Sequence, residues 1–78
     1  MEEDRVRTLM DKKQFVEGTL SDTISEACSW VDHLEYEGSR SFEYVIIVCE
    51  NGHTYKVNVF ADSKSAIISD VIKEVSKH

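Results

Sequence analysis

The sequence predicts a small α+β domain, and three observations support this fold class. Asn51-Gly52, a strong turn signal, lies between two stretches rich in β-branched and aromatic residues, a pattern typical of a β-hairpin. On both sides of this hairpin, apolar residues recur at spacings of three and four, as in amphipathic helices. A length of 78 residues allows one domain with a thin core. We therefore expect a single domain over 1–78 with a helical N-terminal half, an antiparallel hairpin and a C-terminal helix, in the order α(α)ββα.

The N-terminal half carries an apolar stripe with helical spacing, which fits two interpretations. The stripe consists of Val16, Leu20, Ile24, Ala27, Val31 and Leu34. Gly18 costs roughly 1 kcal/mol in the interior of a helix, and Thr23 and Glu26 have the spacing of a capping box, which would start a new helix. One interpretation is a long helix bent near Gly18. The other, which we favour, is a short helix over about 3–16 followed by a second helix over about 20–36.

The hairpin comprises residues 42–50 and 53–60 and the dipeptide between them. A two-residue loop of type I′ suits Asn-Gly, because both central residues of that turn need a positive φ. Such a loop would pair Glu50 with His53. It would also place six large apolar side chains on the face that the C-terminal helix covers: Tyr44, Ile46, Val48, Tyr55, Val57 and Val59.

The C-terminal helix is indicated by apolar residues at helical spacing, namely Ile67, Ile68, Val71, Ile72 and Val75. Asp62 or Ser63 can cap its N-terminus by accepting a hydrogen bond from a backbone N–H. Lys73, Lys77 and His78 lie near its C-terminus, where the helix dipole favours positive charge. These signals predict a helix that follows the hairpin and packs on its apolar face.

The negative charge of the chain is concentrated in one segment. With 9 basic and 15 acidic residues, the formal net charge is −6. No Lys or Arg occurs between Gln14 and Ser39, whereas the acids Glu17, Asp22, Glu26, Asp32, Glu35 and Glu37 do. On the predicted second helix they face away from the apolar stripe, and some repel each other at i, i+4. Repulsion without local compensation favours a binding surface, and a solvated face that serves solubility is the simpler alternative.

This segment is therefore predicted to bind a protein partner with a basic surface. The candidate partner-binding residues are Asp22, Glu26, Ser29, Trp30, Asp32, His33, Glu35 and Glu37. Trp30 is a candidate interface anchor, although a core position is the simpler assignment. In composition the chain resembles phage-encoded inhibitors of the anti-CRISPR and anti-restriction type, which are often small, acidic and poor in cysteine. That resemblance implies an inhibitor that imitates the charge of nucleic acid.

A homodimer is the alternative function. The first hairpin strand is apolar on both faces, so in the expected register Val45, Ile47 and Phe60 lie on a face without a cover. That face, or an exposed strand edge, would pair with a second copy of the chain.

Composition and missing motifs disfavour other function classes. The acidic balance argues against direct binding to nucleic acid, which needs Lys and Arg, and no apolar run approaches the roughly 20 residues of a membrane helix. Cys28 and Cys49 are too few for a secreted disulfide scaffold, so a cytoplasmic location is expected. The sequence contains no recognisable motif for a metal, a cofactor or a catalytic nucleophile. We therefore expect a non-enzymatic protein.

Overall fold

The structure, a computed structural model, describes residues 9–78 and confirms the α+β class. Helix α1 occupies residues 9–27 and helix α2 occupies Lys64–Ser76. Between them lie the strands β1 (Val31–Gly38), β2 (Glu43–Cys49) and β3 (Thr54–Asn58), which form an antiparallel sheet in the order β1-β2-β3. The part of the predicted first helix over 3–8 lies outside the described residues.

Both helices bury apolar residues against one face of the sheet. Val16, Leu20 and Ile24 of α1 belong to the same core cluster as Ile67 and Val71 of α2. Helix α2 begins where the sequence predicts, because the Ser63 hydroxyl accepts a hydrogen bond from the N–H of Ala66 at 3.3 Å. The C-terminal helix and its N-cap are thus confirmed.

The predicted second helix over 20–36 is wrong in its second half, because Val31–Gly38 forms β1. A β-bulge lies between Val31 and His33 in the pairing with β2. Because a bulge inserts one residue, Val31 and Leu34, three apart, are both buried on the core face of one strand. This spacing of three resembles helical periodicity.

Helix α1 continues without a break through Gly18, so the favoured division into two helices near this residue is wrong. Gly18 lies instead within a π-helical stretch, Phe15–Leu20, whose turns are wider than those of an α-helix. The α-helical conformation then resumes over Ser21–Ala27. The first half of the chain therefore contributes one helix and one strand.

The hairpin turn is one residue longer than the sequence predicts. The N–H of Cys49 donates to the carbonyl of His53 at 2.8 Å, and the N–H of Gly52 donates to the carbonyl of Cys49 at 3.0 Å, which closes a three-residue loop over 50–52. Gly52 has a φ of 90°, as expected for a type I turn followed by a bulge with glycine in the left-handed region. The extra loop residue shifts the pairing of β2 with β3 by one position.

A register shift of one residue exchanges the two faces of β2. Val45 and Ile47 are 0% exposed and lie in the core, so the prediction that they form an uncovered face available to a second copy is wrong. Phe60, which follows β3, stays at the surface and is 44% exposed. Three side chains predicted to face the core lie half-buried on the opposite face: Tyr44, Ile46 and Val48.

Helix α1 also covers the outer edge of β1. The Ser21 hydroxyl accepts a hydrogen bond from the N–H of Leu34 at 2.8 Å, and the Glu17 carboxylate accepts one from the N–H of Tyr36 at 2.9 Å. Both N–H groups point away from β2, toward the outer edge of the sheet. On an edge strand such groups otherwise have no partner within the sheet. Glu17 also accepts a hydrogen bond from Lys13 Nζ at 3.1 Å. Glu17 therefore differs from the other acids of its segment, because it holds the helix to the strand.

A buried carboxylate connects the elements. Glu43 is 0% exposed, and its Oε1 accepts a hydrogen bond from Lys12 Nζ at 3.0 Å. The same oxygen accepts a hydrogen bond from the Tyr36 hydroxyl, and Oε2 accepts one from the N–H of Ala61 at 3.0 Å. Glu43 thus joins α1, β1, β2 and the loop before α2.

Candidate protein-binding surface

One face of the sheet has none of the described helices over it. On this face, which we call the open face, alternate residues of the three strands form three rows. The rows are His33–Val48–Thr54, Glu35–Ile46–Lys56 and Glu37–Tyr44–Asn58. The face is therefore acidic along β1, apolar along β2, and polar with one lysine along β3.

The apolar column of the open face belongs to β2. Tyr44, Ile46 and Val48 are half-buried. The Tyr44 ring contacts the Phe42 ring, with 5.5 Å between centroids, and Lys56 Nζ lies 5.4 Å from the Tyr44 ring centroid. Because an antiparallel sheet usually turns polar residues toward water on its uncovered side, three adjacent apolar side chains here are a departure from the common pattern.

The acidic column belongs to β1, where Asp32, Glu35 and Glu37 are exposed. His33 connects two of them: its Nδ1 lies 2.5 Å from Asp32 Oδ2 and its Nε2 lies 2.8 Å from Glu35 Oε2. The hydrogen bond with the Glu35 carboxylate, and secondly that with Asp32, raises the pKa of His33, while desolvation acts in the opposite direction. Protonated His33 therefore offsets part of the negative charge of β1.

Two further acids, Asp22 and Glu26, are exposed on α1. The hydrogen bond between Ser21 and Leu34 brings this part of the helix against β1. Asp22 directly follows Ser21 on α1, and Glu35 directly follows Leu34 on β1, so the helix and the strand each carry exposed acids next in sequence to this bond. We call Asp22, Glu26, Asp32, Glu35 and Glu37 the acidic surface. It is built from a helix and a strand, which corrects the predicted single acidic helix.

The acidic surface lacks cationic partners from the described part of the chain. Within residues 9–78, no Lys or Arg nitrogen lies within 4.0 Å of any of its five carboxylates. Four of the six described lysines pair with other acids: Lys12 with Glu43, Lys13 with Glu17, Lys64 with Asp11, and Lys77 with Glu74. Within the described residues, His33 offsets part of this charge through its contacts with Asp32 and Glu35.

Ser29 and Trp30 lie in the turn between α1 and β1. Ser29 is exposed, whereas the half-buried Trp30 packs against the core. The Trp30 ring meets Tyr55 and His78 edge-on, with centroids 6.4 and 6.2 Å apart. Tyr55 belongs to the core face of β3, so the structure places Trp30 away from the acidic column rather than beside it.

None of the described helices is long and apolar enough to cross a membrane. Within residues 9–78, no group of three or more His, Cys, Asp or Glu side chains is placed to hold a metal ion, and Cys28 and Cys49 are both thiols. Comparison of the chain with protein-family models, with curated proteins and with solved structures found no match. A proposal for the function therefore rests on the geometry of the acidic surface and the open face.

The position of His33 gives a pH-dependent prediction. Its pKa is raised from the ordinary value of 6.5, so protonation favours the folded state. This contribution to stability is complete below about pH 6.5 and is lost as the pH rises through the raised pKa of the folded protein. We expect a ¹H–¹⁵N NMR titration to give His33 a pKa above 6.5.

The matched variants are Glu35→Gln and Glu37→Gln. Both remove one exposed acid of β1, but Glu35 contacts the His33 ring whereas Glu37 belongs to a different row. Glu35→Gln is expected to lower the pKa of His33, and Glu37→Gln is expected to leave it nearly unchanged. Equal shifts in the two variants would show that the general field of β1, and not the hydrogen bond, sets this pKa.

Proposed function

We propose that this chain is a non-enzymatic protein-binding module that presents the acidic surface to a basic partner. The proposal rests on one observation, the five carboxylates without a lysine or arginine partner among residues 9–78. Like charges on neighbouring elements repel, and a partner that supplies cations relieves that repulsion. Complementary charge also accelerates the encounter of two proteins.

The partner that suits this surface best is a protein that itself binds nucleic acid. Such a protein carries Lys and Arg in a groove that receives phosphates. Carboxylates accept the same charge-assisted hydrogen bonds from those cations as phosphates do. Occupation of the groove by the acidic surface would exclude nucleic acid, which is how an inhibitor of the anti-CRISPR or anti-restriction type would act.

The test compares two variants with equal charge changes. Asp22→Lys/Glu35→Lys reverses one acid of α1 and one of β1, whereas the control, Asp11→Lys/Glu50→Lys, reverses two exposed acids outside the acidic surface. Immobilised protein is incubated with an extract of the source cells, and the proteins eluted by a salt gradient are identified by mass spectrometry. We expect basic nucleic-acid-binding proteins to be retained by the wild type and the control, to elute as salt screens the charges, and to be lost with the first variant.

Before the comparison, circular dichroism spectra are recorded to check that both variants are folded. Retention of the same proteins by both variants would show that the acids of the surface serve solubility alone. Loss of retention with the control as well would assign binding to overall charge and would contradict a localised surface.

A further inference from the structure

We infer that the partner docks on the open face. An apolar ridge of the partner lies over β2, and its cations lie on one flank of that ridge only, over β1. This inference rests on the proposed function and specifies its surface and the chemistry of its partner. The acids of β1 alone do not define such a surface, because exposed charged side chains are ordinary on protein surfaces. The adjacent apolar column of β2 is the second, independent feature.

The apolar column is continuous along β2. Tyr44, Ile46 and Val48 occupy successive rows, so their side chains adjoin one another along β2. Isolated exposed apolar residues are ordinary on protein surfaces, whereas contiguous ones bordered by polar groups are typical of interaction sites. A partner that covers this column removes apolar area from water, which simple ion pairing with the acids would not do.

The charges on either side of the apolar column determine the orientation of the partner on the open face. In the middle row, Glu35 lies on one side of Ile46 and Lys56 on the other. Cations of the partner are attracted over β1 and repelled over β3. A uniformly basic segment therefore fits the open face less well than an amphipathic one whose cations all lie on one flank of its apolar ridge.

A second copy of the chain fits the same face less well. Face-to-face packing brings Lys56 of each copy over Glu35 of the other only if the two-fold axis is parallel to β2. In that arrangement Glu37 of each copy faces Asn58 of the other, because Glu37 and Asn58 share a row. The remaining carboxylates then gain no cation, and two acidic faces are brought together. The charges thus favour a basic partner.

The experiment uses two synthetic helical peptides with the same number of lysines along one flank. The first carries a ridge of leucines, and the second carries glutamines in their place. Isothermal titration calorimetry at low salt is expected to show that the leucine peptide binds the wild type at least about tenfold more tightly, because it alone covers β2. Ile46→Thr/Val48→Thr is expected to remove this difference, with circular dichroism as the check that the variant is folded.

Two pairs of acids give the matched control. Glu35→Gln/Glu37→Gln is expected to weaken binding of the leucine peptide by about fivefold, and Asp22→Asn/Glu26→Gln, with the same charge change, by less than about twofold. Chemical-shift mapping on the wild type is expected to place the largest amide shifts in β1 and β2. This mapping does not depend on whether any variant folds.

The outcomes separate the two proposals. If neither peptide binds the wild type, both the proposed function and the docking face are wrong. If both peptides bind equally well, or if the acids of α1 matter as much as those of β1, a basic partner stands but the open face is not its site. If light scattering shows a dimer that Ile46→Thr/Val48→Thr converts to a monomer, the open face binds a second copy and the inference is wrong.

Discussion

Glu43→Gln is expected to destabilise the folded protein by about 3–5 kcal/mol, the usual cost of removing one partner from a buried ion pair. The substitution leaves the ammonium group of Lys12 nearly buried without its ion-pair partner, since the Lys12 side chain is 8% exposed and that of Glu43 is 0% exposed. The pair cannot be replaced by water without opening the contact between α1 and the sheet. The loss is therefore larger than that for any exposed acid of this chain.

The expected loss is also large relative to the whole stability of a domain. Small domains are stable by about 5–15 kcal/mol in total, and a chain of 78 residues has a thin core. Glu43 also accepts hydrogen bonds from the Tyr36 hydroxyl and from the N–H of Ala61. The oxygen of a neutral amide can still accept one of these hydrogen bonds. Its NH₂ group takes the place of the other carboxylate oxygen, however, and cannot accept a hydrogen bond from the donor that faces it.

Urea denaturation at pH 7, followed by circular dichroism, measures the effect. The control is Glu50→Gln, the same substitution at an exposed acid just beyond β2, which is expected to change the free energy of unfolding by less than about 0.5 kcal/mol. The double variant Lys12→Met/Glu43→Leu is expected to be less destabilised than the sum of its single variants, because neither buried charge remains. Equal midpoints for Glu43→Gln and Glu50→Gln would contradict a buried ion pair at this position.

The same pair illustrates which parts of the fold local sequence patterns could predict. The C-terminal helix was predictable because its cap and apolar spacing all lie within about four turns of chain, and the structure confirms it. Lys12 and Glu43 are 31 residues apart, and nothing near either residue in the sequence marks it as buried. The fold nevertheless buries both of them, with Lys12 6% exposed and Glu43 0% exposed.

The acids of the candidate site were predictable from the sequence, but their arrangement on the fold was not. The concentration of acids over 17–37 is a property of the sequence alone, and within residues 9–78 the acids other than Glu17 have no lysine or arginine partner. Their arrangement depends on the bulge between Val31 and His33, which produces a spacing of three within a strand and so imitates a helix. The apolar column of the open face was missed because it depends on the register of the hairpin.

The register of the hairpin gives a second prediction with a large expected effect on stability. Ile47→Ala is expected to destabilise the protein by about 2–5 kcal/mol, because it removes buried methyl and methylene groups and leaves a cavity in the core. Ile46→Ala, a change of the same residue type at the neighbouring position, is expected to cost less than about 1 kcal/mol, since a half-buried side chain on the open face leaves no closed cavity. Thermal and urea denaturation of the two variants measure the difference.

The comparison also tests the loop. With a two-residue turn at Asn51-Gly52, Ile46 would face the core and Ile47 would lie outside, so the costs of the two variants would be reversed. The three-residue loop over 50–52 has the opposite consequence, because each residue of β2 moves to the other face. Since Ile46 is central to the proposed docking face, its substitution should leave the fold intact and weaken binding of the leucine peptide. A larger loss of stability for Ile46→Ala than for Ile47→Ala would show that Ile46 faces the core and Ile47 the opposite side, and would contradict the proposed docking face.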